Sequence, residues 1–103
     1  MKNYSVYILE CSNGSLYTGY TTDLNKRYLE HLNGNGAKYT KAFKPKCIAV
    51  SFNFEDENNS NALKLEAKIK KKSRIEKIAL VEQPNLIKIM YDEIVNNYES
   101  SYN

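Results

Sequence analysis

Five polar side chains of this sequence have types and spacings that could do chemistry: Tyr7, Tyr17, Arg27, His31 and Glu66. Arg27 and His31 lie four residues apart, so on a helix they project from one face while Leu24, Tyr28 and Leu32 point elsewhere. A guanidinium can fork onto phosphate oxygens, and an imidazole can take or give a proton near neutrality. Both residues also have plain structural roles: an ion pair of Arg27 with Asp23 or Glu30, and a helix-end place for His31 favoured by the macrodipole. Glu66 falls in line with Ala62 and Ile69, at the edge of an apolar stripe in a lysine-laden helix. A buried carboxylate is costly unless paired or metal-bound, so Glu66 reads as a cation ligand or as the partner of Lys70 or Arg27.

These residues lie in a chain of uneven charge. The 103 residues carry a formal +3, but residues 1–77 hold 14 Lys/Arg against 8 Asp/Glu. Residues 78–103 hold Lys88 against Glu82, Asp92, Glu93 and Glu99. A basic body is therefore joined to an acidic tail, which is expected only to cover the core. The excess comes from Lys38, Lys41, Lys44 and Lys46, and from a second cluster containing Lys68, Lys70, Lys71, Lys72 and Arg74. Clustered bases interleaved with tyrosine point to a polyanion such as nucleic acid, with a merely solvated face as the alternative.

The elements that must position the five residues are readable from periodicity. Residues 4–9 and 16–20 read as strands joined by a turn at Asn13-Gly14. Asp23 can cap a helix to about Asn33, with Gly34 as its stop. Residues 34–46 read as a loop with one short turn. Residues 47–54 alternate, placing Ile48, Val50, Phe52 and Phe54 on one face of a third strand. Ser60 can cap a helix to Lys72, Ser73 to Glu76 has capping-box spacing for another, and a last amphipathic helix spans residues 85–97. The expected fold is α+β, a small three-stranded, mainly antiparallel sheet flanked by helices in the order β-β-α-β-α-α-α. A domain over 1–83, a C-terminal helix over 84–98 packed on it and a frayed tail over 99–103 are expected.

Register decides whether the tyrosines can cooperate. With a two-residue loop, Tyr7 and Tyr17 fall on opposite faces. A three-residue loop, Ser12-Asn13-Gly14 with Gly14 left-handed, pairs Cys11 with Ser15, Leu9 with Tyr17 and Tyr7 with Gly19. Both rings then share a face, Gly19 leaves room beside Tyr7, and Val6, Ile8 and Leu16 face the core. The bulged hairpin is the expectation, although a strand tyrosine is most often packing.

With this layout drawn, the chain resembles the GIY-YIG nuclease family. Ser5-Val6-Tyr7 and Tyr17-Thr18-Gly19 match its two tripeptides, Arg27 and His31 match its helical pair within DLNKRYLEH, and Glu66 within NALKLEAKIK matches its metal-binding glutamate. The likeness covers residues 3–80 and is nearest a small stand-alone bacterial branch (UPF0213-like), which shares the run through GAKYT. Ser5, Val6 and Thr18 depart from the tripeptides, and Ile78 stands where many members place an asparagine. The resemblance implies a DNA endonuclease; no nucleotide cofactor is expected, since no Gly-rich phosphate loop is present.

Phosphodiester cleavage needs a divalent ion, and one carboxylate with waters suits Mg²⁺, or Mn²⁺. Arg27 can stabilise the pentacovalent transition state. The resemblance implies Tyr7 or His31 as acceptor of the water's proton, with Tyr17 as a further relay. The two lysine clusters would grip the DNA backbone, with Tyr39 and Phe43 for stacking, favouring structure-directed over sequence-directed cleavage. Repair or recombination is the expected setting, and a non-catalytic nucleic-acid-binding module or a protein-docking domain are the alternatives. Further expectations are a cytoplasmic protein with no membrane contact, a monomer or weak dimer, and two reduced, buried cysteines, Cys11 and Cys47.

Overall fold

The computed structural model describes the backbone of residues 1–100 and the side chains of 1–96. Its elements are β1 (Lys2–Cys11), β2 (Leu16–Thr21), α1 (Leu24–Leu32), α2 (Lys38–Ala42), β3 (Pro45–Asp56), α3 (Ser60–Lys70), α4 (Arg74–Glu82) and α5 (Asn85–Ser100). The strands form one antiparallel sheet in the order β2-β1-β3. The fold is α+β, as the sequence implies, with the turn foreseen in residues 34–46 formed as the short helix α2.

The three-residue loop is present. Gly14 has φ 82°, Cys11 N–H donates to Ser15 at 2.9 Å, and Gly14 N–H donates to Cys11 at 2.8 Å. Tyr7 is therefore paired with Gly19, and Leu9 with Tyr17. Side chains alternate across a strand, so this register sends Val6 and Ile8 to one face and Tyr7 and Leu9 to the other.

The Val6 and Ile8 face carries the core. Ala62, Leu65 and Ile69 of α3, Leu80 of α4, and Ile87 and Ile94 of α5 bury against it. Leu86 and Met90 pack on the same cluster, so the acidic last helix contributes its apolar side to the core. Local signals start the helices. Asp23 accepts from Lys26 N–H at 3.1 Å, and Ser73 and Glu76 form both bonds of the capping box. Each such cap contributes about 1 kcal/mol.

Several expectations need correction. Ser60 is the first residue of α3, not its cap: Asn59 holds the cap position, Asn58 accepts from Ser60 N–H at 2.9 Å, and the helix stops at Lys70. Ile48 leaves the core face. A register shift between Ile8 and Leu9 pairs Ile8 with Val50 but Leu9 with Ile48, so the bulge puts Ile48 opposite a residue of the other face. Cys47 is exposed, while Cys11 is buried and both are free. The helix α5 runs through Ser100, past its expected end at residue 97, and residues 101–103 of the expected frayed tail lie outside the described part.

One polar atom is stranded on the core side. Thr18, on β2 opposite Ile8, is 2% exposed, and its hydroxyl is the only buried side-chain polar atom without a partner among the described residues. A buried hydroxyl in that state costs about 1–3 kcal/mol. Thr18→Val should therefore raise unfolding stability by about 1–2 kcal/mol in urea titration; unchanged or lower stability would show that the hydroxyl is satisfied in solution.

Candidate active site

The opposite face of the sheet holds α1 and α2, and its centre is polar. Tyr7 is 2% exposed and its hydroxyl lies 2.9 Å from His31 Nε2. Its ring can lie across β2 because the paired residue is glycine: a Cβ at Gly19 would be 2.5 Å from the Tyr7 hydroxyl oxygen. Tyr17 reaches the same imidazole from the side, with ring centroids 5.4 Å apart at 65°. Both strand tyrosines therefore meet one histidine on α1.

His31 lies in the last turn of α1, where the macrodipole favours a base, and it is the buried residue of that helix, with no exposed surface. Burial lowers its pKa from the ordinary imidazole value, nearby Arg27 lowers it further, and Glu30 partly opposes them. Its Nδ1 is 2.7 Å from the Thr40 hydroxyl on α2. Burial raises the Tyr7 hydroxyl, the neighbouring Arg27 guanidinium offsets part of that rise, and Tyr17 and Glu66 add to it. Tyrosine and histidine both rest neutral here.

Arg27, one turn before His31, pairs with Glu30 at 3.3 Å; of the two acids weighed as its partner, Glu30 is the one used. Glu66 is 16% exposed and pairs with Lys70 at 3.5 Å, an exposed lysine one turn along α3. The described residues contain no cluster of three His, Cys, Asp or Glu side chains. A single, partly exposed carboxylate fits a hard cation that keeps several waters, so Glu66 could hold Mg²⁺ or Mn²⁺ in place of Lys70.

The basic residues divide into two groups around the hairpin turn. Lys38 and Lys41 on α2, with Lys44 and Lys46 after it, are exposed on one side. Lys68, Lys70, Lys71 and Arg74 are exposed on the other, and Lys72 is half-buried beside Glu76 at 3.9 Å. The turn touches both groups: Ser12 N–H donates to the Lys44 carbonyl at 2.7 Å, and Arg74 donates to the Gly14 carbonyl at 2.6 Å. Tyr39 stacks on Tyr17 at 6.1 Å and 13°, and Phe43 lies 5.3 Å beyond it. Tyr39 and Phe43 are each 39% exposed, an aromatic edge leading away from the tyrosine–histidine centre.

Two contributors went unassigned in the sequence reading. Thr40 bonds to His31, and Gly36 lets the backbone approach that ring, since a Cβ there would be 2.4 Å from Nδ1. Both belong to the GAKYT run, and nothing local in the sequence ties its threonine to a histidine nine residues earlier.

Comparisons with known proteins identify the family. The model of the GIY-YIG catalytic domain matches residues 3–79. A UPF0213 protein of Staphylococcus saprophyticus is 43% identical over 83 residues, covering 81% of this chain and 99% of that protein. One from Syntrophus aciditrophicus is 52% identical over 83 residues, covering 80% and 92% respectively. A solution structure of a UPF0213 protein from Bacillus halodurans is 42% identical, covers 78% of this chain and 83% of that one, and superposes with a TM-score of 0.49. With three-quarters of its length matched to the catalytic domain, the chain belongs to the GIY-YIG family, a nuclease-type family.

Proposed function

We propose that this chain is a metal-dependent DNA endonuclease that hydrolyses phosphodiester bonds according to DNA structure rather than base sequence, in repair or recombination. The observation that carries the reading is the meeting of Tyr7 and half-buried Tyr17 at the buried His31 imidazole, with Arg27 one turn earlier on the same helix.

Each residue then has a role set by its surroundings. Glu66 would hold the divalent cation, which when bound neutralises charge developing on the phosphate and the leaving oxygen. Arg27 supplies fixed positive charge to the pentacovalent phosphate. The attacking water gives a proton to the Tyr7 oxygen as Tyr7 passes its own to His31 Nε2. The new P–O bond forms as the P–O bond to the leaving oxygen breaks. That oxygen departs as an alkoxide that takes a proton from solvent, leaving neutral tyrosine and imidazolium. This relay suits the burial: a free tyrosinate would be penalised, and the Tyr7 hydroxyl lies within hydrogen-bond distance of the imidazole nitrogen. Tyr17 supports the imidazole from the side. The two lysine groups and Arg74 contact backbone phosphates without reading bases.

Purified protein should nick labelled duplex, single-stranded, flap or junction DNA with Mg²⁺ or Mn²⁺, and chelator should stop it. Glu66→Ala and Arg27→Ala should each lower cleavage by about 100-fold or more while circular dichroism stays unchanged; full activity in either folded variant refutes the assigned roles. One feature favours the alternative of a non-catalytic binding module, namely Ile78 where the family resemblance leads one to expect an asparagine. That alternative requires salt-sensitive DNA binding with no cleavage under any metal.

Gly19→Ala tests the tyrosine geometry separately. The new methyl group must displace the Tyr7 ring, so cleavage should fall about 10-fold or more with DNA affinity retained. Wild-type turnover in this variant would mean that Tyr7 does not need its observed place.

A further inference from the structure

The bond network around His31 has a direction. Thr40 has one hydroxyl proton and donates it to the Ala37 carbonyl at 3.1 Å. Its oxygen is then an acceptor, and the atom facing it at 2.7 Å is His31 Nδ1. A proton on Nδ1 leaves Nε2 bare in the neutral ring, and the Tyr7 hydroxyl lies 2.9 Å from that nitrogen. The charged neighbours agree: Arg27 beside Tyr7 carries only donors and cannot accept the Tyr7 proton, and the Glu30 carboxylate is engaged by Arg27. His31 and Thr40 have no exposed surface and Tyr7 is 2% exposed, so bulk water does not compete. Gly36 closes the other side of the ring, where any Cβ would collide with Nδ1.

We propose that Thr40 is a positioning residue that holds His31 as its Nδ1-protonated tautomer, so that bare Nε2 receives the Tyr7 hydroxyl proton. Its use in cleavage rests on the nuclease reading; the direction of the bonds does not. A second-layer partner that fixes an imidazole tautomer leaves the composition of the site unchanged but decides whether the chain of protons can run.

The protein has a single histidine, so its imidazole nitrogens can be read without assignment ambiguity by long-range ¹H–¹⁵N correlation spectroscopy. The uncomplexed protein near neutral pH should show a protonated Nδ1 and a bare Nε2. Thr40→Val should lose that pattern, with Nε2 protonated or the two forms averaging, and Thr40→Ser should restore it. A wild-type spectrum with Nε2 protonated overturns the proposal even if the valine variant fails to fold, and so does a Thr40→Val spectrum matching wild type. In cleavage assays Thr40→Val should lower kcat by roughly 10-fold or more with KM retained, and Thr40→Ser should recover it; a loss in KM alone, or no recovery with serine, counts against the assignment. A protein with the expected tautomer that never cleaves DNA would end the nuclease reading and leave the bond direction standing.

Discussion

Gly14, at φ 82°, adds a third residue to the loop between β1 and β2, and this addition sets which side chains share a face. A one-residue slip in an antiparallel pair sends every side chain of the strand to the other side. In that alternative Tyr7 and Tyr17 separate, and Tyr7 no longer faces Gly19. The observed register instead gives Val6 and Ile8 to the core with α3 and α5, and gives both tyrosines to α1 and α2. One register thus serves both the core and the site. Stabilising the apolar face automatically delivers Tyr7 to His31.

The polar face solves a problem that the core face leaves open. Tyr7, His31 and Thr40 bury three polar side chains, and each has a hydrogen-bond partner, ending on the Ala37 carbonyl. Satisfied polar groups are tolerated in a low-dielectric interior, and their bonds strengthen there. Burial also keeps the pair uncharged at rest, raising tyrosine and lowering histidine. Thr18 shows the contrast: a hydroxyl of the same kind, one strand over and facing the core, finds no partner.

How much of this was legible depends on the range of the interaction. The Asp23 cap, the Ser73–Glu76 box and the Gly14 loop are settled by residues within four positions, and the sequence displays all of them. The spacing of Arg27 and His31 likewise fixes one helix face. The bulge that moves Ile48 is different, because it lies in the pairing of β1 with β3, some forty residues apart, and alternation within β3 cannot reveal it. His31 looked like a helix-end base because its burial comes from β1, β2 and α2 rather than from its own helix. Thr40 acquires meaning only when α2 folds back on α1.

The charge pattern follows the same division between local and assembled features. A formal +3 is unremarkable for 103 residues, yet the hairpin turn joins the two basic groups through Lys44 and Arg74. Some of that charge is engaged in the free protein: Lys70 holds Glu66 at 3.5 Å, and Lys72 holds Glu76 at 3.9 Å. Both pairs are long and keep one end open to water, Lys70 in the first and Glu76 in the second, so each contributes little, about 0–1 kcal/mol. Lys70, with a half-exposed side chain, is therefore a weak tether on the carboxylate that the nuclease reading needs. In that reading Glu66 exchanges its lysine for a cation at small cost, and the same exchange returns Lys70 to the phosphate-facing group.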